Sequence, residues 1–222
     1  MALTREEELA ANLEDIKSRI TEASQSSARN PHEISLIVVT KTFPVSDVQI
    51  LKGLGVNDFG ENRDGDARPK ANEVQGRWHF QGQIQSNKLK SICSWANVIH
   101  SLDDARHFEI IQKVAIHSLD IFLQVNLDGS LHRGGSTIQS LYTLAEQVNA
   151  DPNHHLAGLM AVAPLGIEPE AAFSQLHEIQ LAFCADFPDA AMLSAGMSGD
   201  FETAIAHGAT HLRIGSQIMG SR

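Results

Sequence analysis

What most constrains this chain is a regular alternation of short apolar, β-branched runs with longer stretches of helical periodicity. Strand-like runs fall at Ile34 to Lys41, Asp58 to Glu61, Trp78 to Gly82, Val98 to Leu102, Ile121 to Asn126, Leu156 to Ala163, Met192 to Gly196 and His211 to Gly215. Between them, helical patterns run over Val45 to Leu54, Asp64 to Val74, Asn87 to Ala96, Asp103 to His117, Thr137 to Val148, Glu170 to Ala185 and Asp200 to Ala206. Strands joined through helices lie parallel, because each crossover returns the chain to the same end of the sheet. Eight such strands in strict alternation point to an α/β fold closed as a (β/α)8 barrel. An open doubly wound sheet alternates in the same way, so the strand count decides between them.

Two features favour closure. No GxGxxG follows the first run, and Gly53-Leu54-Gly55 falls at a helix end, where it reads as a cap. The residues after the last run also leave no room for a full eighth helix. Near the start of the chain, Leu9, Leu13, Ile16 and Ile20 form one helical stripe, with Glu14, Asp15, Lys17 and Arg19 facing away. This extra N-terminal helix is expected to cover part of the gap. Polar residues 24–31 read as the linker to the first strand, and 1–222 as one domain.

With 222 residues, 42% of them hydrophobic, the chain can bury a core large enough for such a barrel. Its formal net charge of -10 argues against nucleic acid and anionic membrane surfaces as partners. Cys93 and Cys184 belong to no CxxC pair and read as reduced thiols. The acidic start Arg5-Glu6-Glu7-Glu8 lacks the apolar centre of a signal peptide, and no segment approaches the roughly 20 apolar residues of a membrane span, so a cytoplasmic location is expected. His207 and His211 have helical spacing, but Gly208 interrupts it, and no metal site is expected.

In a barrel, residues at the carboxyl ends of the strands converge on one face, so Lys41, Asn62, His79, Asn126 and Arg213 can share a pocket despite their separation in sequence. Lys41 reads either as a solvated strand-end lysine or as an amine held against an apolar mouth, where its neutral form becomes populated. Ser194-Ala195-Gly196-Met197-Ser198-Gly199-Asp200 reads as strand, glycine turn and helix start. With Arg213-Ile214-Gly215-Ser216 it supplies an anion cradle where barrels commonly hold phosphate. Asp200 and Glu202 are expected to turn outward, because they repel an anion. His79 reads equally as a core histidine or as pocket lining, Trp78 and Phe80 read as packing residues, and Lys88 is a rival amine on the Gln83 to Lys88 loop. An amine at one strand end and an anion cradle at another suit pyridoxal phosphate, which carries both an aldehyde and a phosphate. A barrel enzyme for a phosphorylated metabolite, with Lys41 as an electrostatic residue, is the other reading.

With these residues assembled, the chain resembles the pyridoxal phosphate homeostasis proteins, single-domain relatives of the fold-type III alanine racemase barrel. The matching stretches are Val39-Thr40-Lys41-Thr42, Gly60-Glu61-Asn62, Trp78-His79-Phe80-Gln81-Gly82, Gln85-Ser86-Asn87-Lys88, Gly158-Leu159-Met160, Gly196-Met197-Ser198 and Arg213-Ile214-Gly215-Ser216, in order along nearly the whole chain. The resemblance implies pyridoxal 5'-phosphate held as a Schiff base on Lys41. It further implies phosphate contacts from Ser198, Gly199, Arg213, Gly215 and Ser216, with Asn62 and His79 lining the cofactor. Release by imine exchange, a role in controlling the free aldehyde and apo-enzymes of the same cofactor as partners follow from it.

Departures lie on the rim. Arg63-Asp64-Gly65-Asp66 stands where an aromatic and a Gln-Glu pair are usual, and His132-Arg133-Gly134-Gly135 where a lysine and a single glycine are common. A racemase also needs a second base, a tyrosine from a second domain. The lone tyrosine, Tyr142, falls in a helical stretch, so a monomeric, non-enzymatic carrier is expected. A small racemase or decarboxylase using His79 or water as second base is the alternative.

Overall fold

The computed structural model describes residues 3–130 and 133–220. After helix α1 (Arg5–Ser26), strands β1 (Ser35–Val39), β2 (Asp58–Glu61), β3 (Arg77–Phe80), β4 (Val98–Leu102), β5 (Asp120–Gln124), β6 (His155–Met160), β7 (Met192–Ser194) and β8 (His211–Ile214) follow in order. Each lies parallel to its neighbours, and β8 pairs with β1 to close the barrel. The crossovers are α2 (Val45–Gly53), α3 (Asp64–Glu73), α4 (Leu89–Trp95), α5 (Ala105–Val114), α6 (Ile138–Asn149), α7 (Pro169–Asp186) and α8 (Phe201–Ala206), and the short α9 (Ser216–Met219) follows β8.

Strand alternation divides the core. Outward residues such as Val38, Phe59 and Trp78 are buried and pack with the inner helix faces into one large apolar layer. Inside the barrel, Val98, Phe122, Ala157 and Met160 form a separate small cluster, and the interior also holds His79, His100, Ser194, His211 and Arg213. This filling departs from the branched aliphatic layers usual in such barrels.

Helix α1 starts on a capping box in which Thr4 and Glu7 satisfy each other's backbone N–H groups. Its expected stripe is buried, and it packs on α8, α9 and α2 beside the β8–β1 seam, where a full eighth helix is missing. Polar contacts fix it there: Arg5 donates to Asp47 and to the Met219 carbonyl, Asn12 to the Ile218 carbonyl, and Arg19 to Glu202. The helix runs further than expected, into the polar segment read as linker, because Ser24 is buried and its hydroxyl donates back to the Ile20 carbonyl. Among the described residues, no helix is long and apolar enough to cross a membrane.

Candidate functional site

At the carboxyl ends of the strands, Val39, Lys41, Asn62, Gln81, Met160, Val162, Met197, Ser198, Gly199, Arg213, Gly215 and Ser216 line a cleft of about 430 Å³, within the range of small-molecule sites. Seven of the eight residues that the resemblance assigns to the cofactor therefore meet in one place. His79 is not among them.

β1 ends at Val39, and Lys41 sits in the turn that follows, exposed to solvent. The apolar enclosure expected for its amine is absent, because strand pairing stops before it and the turn lifts it to the mouth. Thr42, next in the chain, has φ +70°, a left-handed conformation that a β-branched residue adopts only under constraint. The constraint lies at Thr40, which is fully buried. Its carbonyl accepts from Lys70 Nζ at 2.8 Å and its hydroxyl donates to Glu61 Oε1 at 2.7 Å, while Lys70 and Glu61 pair at 2.5 Å.

Beside the end of β1, where Gly215 abuts Val39, the turn after β8 meets the loop after β7. Gly196 has φ +91°, and a Cβ there would lie 2.8 Å from the Ala204 methyl, so glycine is required for α8 to close on the strand end. The N–H groups of Ser198, Gly199, Gly215 and Ser216 donate to no other described residue, and the Ser198 hydroxyl accepts a long bond from the Gln217 N–H at 3.5 Å. The expectation for the two acids is half met. Glu202 turns away to Arg19, but Asp200 stays on the loop, where its carboxylate accepts the Met197 N–H at 2.6 Å.

Arg213 forms the floor. It is buried, and donates to Ser194 Oγ at 2.6 Å and to the Ala161 carbonyl at 2.8 Å, with no carboxylate partner among the described residues. Burial pushes its guanidinium down to about 10, against the weaker pull of Asp200. A buried cation without a counter-ion, four free amide N–H groups and the buried, unpartnered Gln81 Nε2 make this a site suited to an anionic ligand.

Below the floor, His79 Nε2 meets Asp58 Oδ1 at 3.0 Å, His79 Nδ1 meets His100 Nε2 at 2.9 Å, and His100 Nδ1 meets Ser194 Oγ at 2.8 Å. Asp58 only accepts and Arg213 only donates, so with both imidazoles neutral the direction of every bond is fixed, from Arg213 through Ser194, His100 and His79 to Asp58. His79 is thus three links from the cleft. It pairs with Val98, the first residue of β4, so the stagger of the strands sets it level with the amino-terminal layer of its neighbours.

Burial lowers both imidazoles, His100 well below the ordinary value, and drives His211 down to about 4. Desolvation is the largest cause in all three, opposed at His79 by Asp58. In the unfolded chain these groups take up a proton near pH 6.5, which the fold refuses until lower pH. Their contribution is therefore fully present above about pH 6.5 and lost as the pH falls below it, for His211 toward about 4. His211 alone accounts for roughly 3 kcal/mol. Melting curves between pH 7.5 and 4 are expected to show this loss and His211→Gln to flatten it; equal slopes in parent and variant would refute the assignment.

Other residues of interest fall outside the cleft. Asn126 holds its own loop, accepting from the Asp128 and Gly129 N–H groups and donating to the Ser130 carbonyl. On the altered rim, Asp64 accepts from Ser91 and Trp95, while Arg63, Gly65, Gln83, Gln85 and Lys88 line a neighbouring cleft that shares Asn62. Arg133 reaches the Val162 and Ala163 carbonyls, and His132 lies outside the described residues. Among the described residues, no cluster of three or more metal-ligating side chains occurs. Sequence reasoning missed Gln81, Met160, Val162, Ser194 and the buried pair of Glu61 and Lys70. Strand parity gave a signal only for Ser194.

The family model described as "Alanine racemase, N-terminal domain" matches residues 8–222. The pyridoxal phosphate homeostasis protein of Mycobacterium leprae is 36% identical, over 97% of this chain and 93% of that protein. Among solved structures, PipY of Synechococcus elongatus with pyridoxal phosphate bound superposes with a TM-score of 0.83 at 29% identity, covering 96% of this chain and all of that one. Alanine racemase of Corynebacterium glutamicum, at 13% identity and a TM-score of 0.70, shares the fold over 95% of this chain but only 61% of its own length.

Proposed function

Because the chain belongs to the pyridoxal phosphate homeostasis protein family, within the alanine racemase N-terminal domain family, we propose that its cleft binds pyridoxal 5'-phosphate and that the protein stores and releases it without turning over a substrate. When bound, the cofactor supplies an aldehyde that condenses with an amine and a phosphate that needs an anion site. Lys41 provides the amine. Ser198, Gly199, Gly215 and Ser216 offer the amide and hydroxyl donors for the phosphate, Arg213 the compensating charge below it, and Asn62 and Gln81 polar contacts at the side of the cleft.

One observation carries the non-catalytic part of the reading: besides Lys41 and Arg213, no side chain among the described residues lining the cleft is ionisable. His79, the side chain considered as a second base for an enzyme, is buried below the floor between Asp58 and His100. Tyr142 lies on α6 against Phe183 of α7 and Phe187 just beyond it, outside the barrel. The exposed Lys41 also leaves the captured aldehyde open to incoming amines, as delivery to apo-enzymes requires.

Two measurements test the reading. The purified protein mixed with the cofactor is expected to gain a visible-edge absorbance band and, after borohydride, one cofactor mass. Single L-amino acids in deuterium oxide are expected to exchange no α-proton and to keep their configuration; steady exchange or racemisation with turnover would establish an enzyme instead.

A further inference from the structure

Two buried charges stand directly behind the turn that carries Lys41, outside the cleft itself. Lys70 on α3 is 4% exposed and Glu61 at the end of β2 is fully buried. Removing two charges from water is costly, and a pair of this kind contributes little net stability. Its bonds all converge on Thr40, the residue before Lys41. Lys70 Nζ takes the Thr40 carbonyl, Glu61 Oε1 takes its hydroxyl, the Thr40 N–H donates to the Gly60 carbonyl at 3.0 Å, and the Phe43 N–H closes the turn on the same Thr40 carbonyl at 3.1 Å. Every polar group of Thr40 is therefore engaged, and Thr42 two residues later is held at φ +70°. A strained, β-branched turn persists only when its surroundings over-determine it, and such strain gathers where a side chain must be aimed. Neither charge lines the cleft.

We propose that Lys70 and Glu61 form a positioning pair: by fixing Thr40 they hold the strained turn that directs the Lys41 amine into the cleft beside the anion cradle. This rests on Lys41 being the amine that takes the aldehyde. The pair sets how fast capture occurs. It leaves the affinity of the cradle unchanged, because the donors of Ser198, Gly199, Gly215 and Ser216 belong to the loops after β7 and β8, and neither Lys70 nor Glu61 bonds to them.

The test uses the full chain with Lys70→Met and Glu61→Gln combined, so that no buried charge is left without its partner. Two quantities are compared with the parent: the rate of borohydride-trapped adduct formation with pyridoxal 5'-phosphate, and the affinity for pyridoxine 5'-phosphate, which lacks the aldehyde. The expected result is capture slowed roughly tenfold or more, as misdirected groups lose rate, with the affinity for the alcohol analogue unchanged. Capture at the parental rate overturns the proposal, and so does an equal loss of capture and affinity, which marks a general structural role. Thr42→Gly gives a second arm that does not depend on the pair's replacement folding. It removes the strain and is expected to slow capture several-fold at full analogue affinity, and unchanged capture counts against the proposal. If the parent itself forms no adduct, the cofactor reading fails first and takes this inference with it.

Discussion

Lys41→Ala is expected to keep the melting behaviour of the parent and to form no borohydride-stable adduct with pyridoxal 5'-phosphate. The two halves of this expectation have separate causes. Lys41 is exposed and makes no hydrogen bond or ion pair with another described residue, so its truncation belongs with surface changes that alter stability by about 0.5 kcal/mol or less. The covalent link has no substitute among the described residues lining the cleft, where the one remaining ionisable side chain is the Arg213 guanidinium, which does not act as an amine. Analogue binding through the cradle is expected to survive. An adduct of unchanged yield in the variant would move the chemistry elsewhere, with Lys88 in the neighbouring cleft the first residue to examine by peptide mapping.

The largest stability effect is expected from Gly158→Ala. On β6 both Leu156 and Gly158 pair with consecutive residues of β5, Ile121 and Phe122, so Ala157 is an extra residue and the strand bulges. Gly158 takes φ +151°, and a Cβ there would lie 1.8 Å from the Met192 carbonyl oxygen of β7, a backbone atom that cannot step aside without moving the strand. Alanine therefore has to break the β6–β7 pairing or force the backbone into a strained region, at a cost of about 3 kcal/mol or more. For a chain of this length the melting temperature should fall by roughly 6–12 °C. Gly53→Ala, at a helix end with open space around it, is the control and should melt with the parent. A Gly158→Ala protein melting within about 2 °C of the parent would contradict the geometry. The same bulge allows both Ala157 and Met160 to face the barrel interior, so the variant should disturb the Met160 wall of the cleft as well.

That bulge marks where the sequence stopped being legible. β2 and β4 have the bounds that the apolar runs predict, and the first-strand run overshoots only at its ends. The residues after β7 and β8 do meet in one cleft, as their strand-end positions predict. Strict alternation cannot locate an inserted residue such as Ala157, and it states only whether a side chain faces inward, not at what height along the barrel axis. Those two limits explain His79, inward as pocket lining requires but one layer too low. Lys70 was hidden for another reason: between Pro69 and Ala71 on a helix rich in charge it looks like any solvated lysine, and only the fold reveals that its amine turns inward to Glu61. The expected enclosure of Lys41 failed because a run of hydrophobic residues predicts a strand but not its last hydrogen bond.

The seam of the barrel also bears on how the protein is made. Ser35 of β1 pairs with His211 of β8, so during synthesis the first strand leaves the ribosome long before its partner on that side exists. Until the last turn of sequence emerges, the nascent sheet carries two raw edges able to recruit strands from other chains. Closure is consequently a late and slow event for which the whole length of polypeptide must wait. Translation products truncated before β8 should therefore be insoluble.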